Sequence, residues 1–247
     1  AARPGIGKTA LALNWLLRAA RFENAHGAFF SLEMSNEEVF NRLLSAHARV
    51  NMKQVQAGQF DSQMEAHLWR SRDELINLPI FINDQASITV PQITAMVDRH
   101  LSQSNQKLDI LFIDYLQLMQ SPTGSRAAQQ NEATRVGEIS RGLKLLAKEH
   151  GIPVVVLSQL NRQVEQGQGR KPLLSDLRDS GAIEQDADMV MFIHRKMRPM
   201  QDGEEIDRNA ELLVSKHRNG PTASIPLIFE GEYATYHEME RDTGPSF

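Results

Sequence analysis

The residues best equipped for chemistry stand at the start of the chain. Ala2-Arg3-Pro4-Gly5-Ile6-Gly7-Lys8-Thr9 matches a phosphate-binding loop, with Ala2 in place of the first glycine, and an amphipathic stretch follows it. Gly5 and Gly7 let backbone N–H groups curl around phosphate oxygens, and the N-terminus of the helix behind them adds a favourable dipole. Lys8 supplies a mobile cation to β- and γ-phosphates, and the Thr9 hydroxyl can ligate Mg²⁺. Arg3, Pro4, Ile6 and Ala10 complete the segment expected to enclose a nucleotide. A glycine turn capping a helix beside a solvated lysine would use some of the same residues. The Gly-Lys-Thr order and the helix that follows favour the phosphate loop.

Three apolar runs end in polar residues suited to phosphoryl transfer. Phe29-Phe30-Ser31-Leu32 leads to Glu33, Ile110-Leu111-Phe112-Ile113 to Asp114, and Val154-Val155-Val156-Leu157-Ser158 to Gln159. In an open α/β sheet, ligands bind beyond the carboxyl ends of parallel strands, so all three should converge on the phosphate loop. Asp114, an acid after four apolar residues, has the Walker B form and can hold Mg²⁺ directly or through water. Glu33 is a candidate general base that orients the attacking water. Gln159 could bond the γ-phosphate and report its loss to the loop that follows. Singly, each is also what a solvated strand end looks like.

The elements that must position these groups can be read from periodicity. Strand-length apolar runs recur at Ala28–Ser31, Pro79–Ile82, Ile110–Ile113, Val154–Leu157 and Met189–Ile193. Helical spacing fills Ala10–Ala20, Glu37–Arg49, Gln92–Leu101 and Val136–His150, the last with Ile139, Leu143, Leu146 and Ala147 on one face. Strands alternating with helices predict an α/β domain around a mainly parallel sheet. After Ala210, short alternating runs at Glu211–Ser215, Ser224–Phe229 and Glu232–Tyr236 predict an antiparallel extension. No repeat or linker divides residues 1–247, which read as one domain. A phosphate loop should follow a strand, so an intact domain is expected to draw on residues upstream of Ala1 to fill the middle of the sheet. Gln120–Asn131 and Arg162–Ser180 read as long loops on one sheet edge, and loops of that length are usually functional or disordered.

Composition narrows the class. The 247 residues are 41% hydrophobic and 23% charged, ordinary globular values that exclude collagen-like and wholly disordered chains. No apolar run reaches membrane-spanning length and no secretory leader is visible, so no membrane partner is expected. With no cysteine there is no disulfide scaffold, iron–sulfur cluster or thiolate zinc site, which fits a reducing, cytoplasmic location. A formal charge of −4 gives no basic footprint, so nucleic-acid binding would be local or shared around an assembly.

The motifs together carry a resemblance. Ala1–Thr9, Phe30-Ser31-Leu32-Glu33-Met34, Ile113-Asp114-Tyr115-Leu116-Gln117-Leu118-Met119 and Leu157-Ser158-Gln159-Leu160-Asn161-Arg162 occur in that order. They are followed by the long motif from Ser175-Asp176-Leu177-Arg178-Asp179-Ser180-Gly181 to Asp188, and by Lys216-His217-Arg218-Asn219-Gly220-Pro221. The set resembles the ATPase domain of DnaB-type replicative DNA helicases over nearly the whole chain. The resemblance implies a RecA-like P-loop fold, a homohexameric ring, and ATP-driven 5′ to 3′ movement on single-stranded DNA. It assigns Lys8 and Thr9 to phosphate and Mg²⁺, Glu33 to catalysis, Asp114 to the metal and Gln159 to γ-phosphate sensing. It matches Lys216 and Arg218 to finger residues that reach a neighbour's ATP, and Arg178, Asp179 and Gly181 to a channel loop that holds the DNA backbone. Position 179 is Asp where the family frequently has Glu, and His217 stands where a polar amide is common. The family's N-terminal helical domain and linker helix are not in this sequence, so primase and loader contacts would run through regions outside it.

Lys216 and Arg218 lie two apart on an expected strand and so share a face, a spacing that an ordinary strand edge also shows. Within one subunit Lys8 is the obvious cation for the γ-phosphate, and a trans arginine is its usual complement. In the Arg162–Gly181 loop, Arg162, Arg170, Lys171 and Arg178 face Glu165, Asp176 and Asp179, with no aromatic residue among them. Base stacking is therefore not expected to dominate, and backbone tracking without sequence preference is the expected mode. A RecA-like DNA-stimulated ATPase or recombinase without unwinding is the alternative. A small-molecule P-loop kinase would need a lid-like arginine cluster that the sequence lacks.

Overall fold

Apolar runs of four or five residues pair side by side in a computed structural model that describes residues 1–104, 107–121, 131–160, 170–177, 180–200 and 203–239. Strands β1 (Gly27–Ser31), β2 (Ile80–Asn83), β3 (Ile110–Asp114) and β4 (Val154–Val156) form a parallel sheet in the order β2-β1-β3-β4. Parallel neighbours need long crossovers, and helices supply them. These are α1 (Lys8–Phe22), α2 (Asn36–Ala48), α3 (Met52–Ala57), α4 (Ser62–Ile76), α5 (Val90–Ser104) and α6 (Glu132–His150).

Side chains alternate across each strand, so adjacent phenylalanines serve opposite cores. Phe29 and Phe112 pack with Leu13, Leu16, Val39 and Leu43 of α1 and α2. Phe30, Leu111 and Ile113 face the other way, against Ile93 of α5 and Val136 and Ile139 of α6. Phe29, Phe30 and Phe112 have no solvent exposure. Truncating such a ring to alanine typically costs about 3–5 kcal/mol.

The antiparallel part begins earlier and runs longer than the periodicity after Ala210 implies. Strands β5 (Met189–Met200), β6 (Gly203–His217), β7 (Ala223–Glu230) and β8 (Thr235–Glu238) pair in sequence order. The β5–β6 hairpin extends through charge-rich residues with little apolar alternation, and its register breaks twice at bulges. Glu232–Ala234, expected in the last strand, forms a turn instead. Tyr233 and Ala234 donate N–H bonds back to the Glu230 and Gly231 carbonyls, and Ala234 takes a positive φ of 50°.

The two sheets meet at the first residues of the chain. Ala2 bridges Gln159 in parallel, its N–H donating to Ser158 O, while Ile193 N–H donates to Ala1 O at 3.0 Å. Beside this link, between β4 and β5, lies an apolar cavity of about 760 Å³ lined by Leu11, Trp15, Leu143, Val155, Val190 and Met191.

Most of the two expected long loops lies outside the described residues. The described piece, residues 170–177, is tied to itself and to the sheet. Arg170 donates twice to the Asp176 carboxylate, at 2.6 and 2.7 Å, and Leu173 N–H donates to the same group at 2.7 Å. Lys171 pairs with Glu211 on β6, and Leu177 bridges Leu160. The Arg170 bond holds the Asp176 carboxyl below its usual range, against the opposing effect of burial. A depressed carboxylate pKa stabilises the fold above the unfolded value, roughly 3.9, and that contribution is lost as pH falls through the folded value. Amide protection factors at 170–177, which normalise out the intrinsic pH dependence of exchange, should therefore fall below about pH 4. Asp176→Asn should show the lower protection already at neutral pH, with little further change on acidification. Unchanged protection in that variant would mean that the ion pair does not hold the turn.

Candidate nucleotide site

The phosphate loop joins Ala2 to α1 and needs backbone that only glycine adopts readily. Gly5 and Gly7 take φ of 73° and 103°, and Gly7 caps α1 without any side-chain bond. The first-turn N–H groups of α1 are thereby left to an anion, and no acidic residue opposes one there. The antiparallel sheet props the loop from behind. Ile6 O accepts from Tyr236 Oη at 2.6 Å and from Arg195 Nη1 at 3.2 Å. Burial raises the Tyr236 hydroxyl to about 12, so it remains a donor. A Cβ on Gly7 would stand 2.6 Å from Tyr236 Oη as well as meeting its φ penalty. Gly7→Ala should thus abolish measurable nucleotide binding while Gly5→Ala, which meets open space, weakens it less. Equal affinities of the two variants by titration calorimetry would refute the close-approach argument.

Lys8, Thr9 and Asp114 meet where β3 ends. Thr9 Oγ1 donates to Asp114 Oδ2 at 2.5 Å, and Lys8 Nζ lies 3.9 Å from Asp114 Oδ1 and 4.2 Å from the centre of the Tyr115 ring. The Asp114–Tyr115 peptide is cis. Burial pushes the Asp114 carboxyl up, countered by the Thr9 bond and Lys8. Burial lowers the Lys8 ammonium, countered by Asp114 and Glu33. Asp114 Oδ1 is buried with no hydrogen-bond partner among the described residues. An orphaned carboxylate oxygen beside a hydroxyl suits a hard divalent cation such as Mg²⁺.

The other strand-end residues converge on the same cleft, about 460 Å³ in volume, within the range of small-molecule sites. Glu33 is exposed on its rim, on a turn pinned by Ser31, whose hydroxyl donates to Met34 O and accepts from Met34 N–H. A capping box of Ser35 and Glu38 then starts α2. Gln159 also lines the cleft, its N–H donating to Gln117 Oε1 at 3.3 Å while Gln117 Nε2 donates to Ser158 Oγ at 2.9 Å. Arg3, Pro4 and Ala10 line it with Gly5, Gly7, Lys8 and Thr9. Ile6 does not: its side chain is buried in the core of the antiparallel sheet, and its carbonyl takes the Tyr236 bond.

Arg42 is the residue that periodicity hides. It lines the cleft from α2, with Nε buried and unpartnered among the described residues. An arginine on an amphipathic helix looks like an ordinary solvated face, and only the folded geometry turns it toward the phosphate loop. Lys8 is therefore not the sole cis cation at the cleft, contrary to the sequence expectation. Lys216 and Arg218 stand elsewhere. Lys216 is the penultimate residue of β6, Arg218 lies just beyond the strand, and neither lines this cleft. Gly181 is exposed in helix α7 (Ser180–Asp186), whereas Arg178 and Asp179 lie outside the described residues.

Comparison with known proteins gives a consistent picture. The family model for the DnaB-like helicase C-terminal domain matches residues 1–238. The replicative DNA helicase DnaB of Geobacillus stearothermophilus is 41% identical over 242 residues, covering 98% of this chain and 52% of that protein. The replicative DNA helicase DnaC of Bacillus subtilis is 40% identical with the same coverage. This chain thus spans about half the length of these curated relatives. Among solved structures, a DnaB-like replicative helicase described with its interactions with primase superposes with a TM-score of 0.86 at 34% identity, covering 97% of this chain and 56% of that one. A second solved structure, described as an ATPase domain, gives 0.84 at 33% identity, covering 97% and 83%. The fold is that of a RecA-like P-loop ATPase, and the chain belongs to the DnaB-like helicase C-terminal domain family.

Proposed function

We propose that this chain is the motor of a replicative DNA helicase, hydrolysing ATP at the interfaces of a homohexameric ring to move 5′ to 3′ along single-stranded DNA. The observation that carries the reading is the convergence of Lys8, Thr9, Glu33, Asp114 and Gln159 on one cleft while Lys216 and Arg218 stand outside it. In this reading Lys8 and the loop N–H groups hold the β- and γ-phosphates, and Glu33 accepts a proton from the attacking water. Thr9 and Asp114 would hold Mg²⁺, which would supply charge neutralisation along the phosphates. Gln159, fixed through Gln117 and Ser158, would detect the γ-phosphate and pass its loss to the loop that follows. Lys216 and Arg218 would act on the ATP of the next subunit. Arg178, Asp179 and Gly181 would meet the DNA backbone. The primase interaction described for one structural relative would, in this protein, depend on regions beyond this chain, as would a helicase loader.

A forked DNA tests the whole reading. The full protein with ATP and Mg²⁺ should separate a fork bearing a free 5′ tail, and should fail when that tail is removed. Single-stranded DNA should stimulate ATP hydrolysis in both cases. Stimulated hydrolysis without strand separation on either substrate would favour a recombinase-like ATPase instead.

A further inference from the structure

The two cations outside the nucleotide cleft have cis partners, and these lie at or just beyond one end of one helix. Lys216 Nζ donates to the carbonyls of Glu184 and Ala187. Arg218 Nη2 donates to Gln185 O at 3.3 Å, Nη1 to Asp188 Oδ1 at 2.9 Å, and the Arg218 backbone N–H to Asp188 O at 2.8 Å. The C-terminal end of α7 and the two residues after it therefore hold both side chains. That helix is packed along α6, where Gly137 lacks the Cβ that would press Ala182 at 3.3 Å. Farther along α6, Lys144 donates to Asp188 Oδ2. The Asp188 carboxylate is thus divided between an anchor on α6 and the guanidinium of Arg218.

We propose that Asp188 is a positioning residue for Arg218, clamping its guanidinium to the end of α7 with the remaining N–H donors turned outward. This rests on the reading of Arg218 as a finger for a neighbour's ATP. Both side chains are more than half exposed, at 51% for Arg218 and 56% for Asp188, so the pair adds little to stability. Its consequence is orientation. Guanidinium has five N–H donors in a rigid fork, and fixing two of them defines where the others point.

The test measures single-stranded-DNA-stimulated ATPase of the full protein carrying Asp188→Ala, Asp188→Asn, Arg218→Ala, or Asp188→Ala with Arg218→Ala. Misplacing a reacting group by about 1 Å can cost roughly 10²-fold. Asp188→Ala should accordingly lower kcat by about that factor and leave KM for ATP within about twofold, as loss of an interaction made only in the transition state requires. Asp188→Asn keeps an acceptor oxygen and should recover part of the rate. Adding Asp188→Ala to Arg218→Ala should cost nothing more, because the carboxylate acts through the guanidinium. A large loss in Arg218→Ala with none in Asp188→Ala would overturn the positioning role and leave the finger reading intact. A further loss in the double variant, or no rescue by Asn, would assign Asp188 to folding instead. Full turnover in Arg218→Ala would overturn both readings.

Discussion

Glu33→Gln is expected to leave ATP bound and to slow its hydrolysis by roughly 10²–10⁴-fold, the usual contribution of a positioned general base. That is about 3–5 kcal/mol of the barrier. The substitution keeps the size and the hydrogen-bonding reach of the side chain and removes only its capacity to take a proton. Glu33 sits on the exposed rim of the cleft, outside the Lys8–Thr9–Asp114 cluster, so its charge is not needed to assemble the phosphate loop. Lys8→Ala is the contrasting variant. Its ammonium is largely buried beside Asp114 and faces the place of the phosphates, so its removal should abolish nucleotide binding itself. Equilibrium binding of a fluorescent ATP analogue alongside steady-state hydrolysis separates the two effects. Comparable loss of affinity in both variants would make Glu33 a structural residue and leave the general base unassigned.

The gathering of the strand-end residues at one cleft was legible because parallel sheets impose a rule. Ligands gather at the carboxyl ends of the strands, so the first carboxylate or amide side chain after each apolar run is a candidate. Glu33, Asp114 and Gln159 follow from that rule. Glu33 and Gln159 line the cleft, and Asp114, itself buried, accepts from the lining residue Thr9. Other features depend on packing that no local pattern reports. Helix α4 escapes periodicity because it buries only Leu68, Ser71 and Leu75 of its fifteen residues. The β5–β6 hairpin is held by backbone pairing through a stretch whose side chains do not alternate. Arg42 has no motif around it, and Tyr236 lies 230 positions from the Ile6 carbonyl that it supports. Long-range partners of this kind belong to topology, whereas the strand-end rule belongs to sequence.

Arg42 also changes the case for a trans arginine. The sequence offers Lys8 as the obvious cis cation for the γ-phosphate, and Arg42 supplies a second candidate within the cleft. Placement now carries the case: Arg218 stands outside its own nucleotide cleft, half-exposed and held by Asp188 and Gln185 O with donors to spare. An arginine finger can be worth roughly 10³–10⁵ in rate, or about 4–7 kcal/mol of transition-state stabilisation. Arg218→Ala should therefore reduce hydrolysis far more than ATP affinity. The decisive form of the experiment uses two inactive full-length variants, Arg218→Ala and Lys8→Ala, purified separately and then mixed under demonstrated subunit exchange. At some mixed interfaces the first contributes an intact phosphate loop and the second an intact arginine, so ATPase should rise above the sum of the separate samples. Every mixed ring keeps at least one Lys8→Ala site that cannot bind ATP, so the gain is read in a single-turnover burst, which one intact interface can deliver even where its neighbours cannot follow. A finger that served its own subunit could not be restored by a neighbour, and exchange without any gain would place Arg218 in that role.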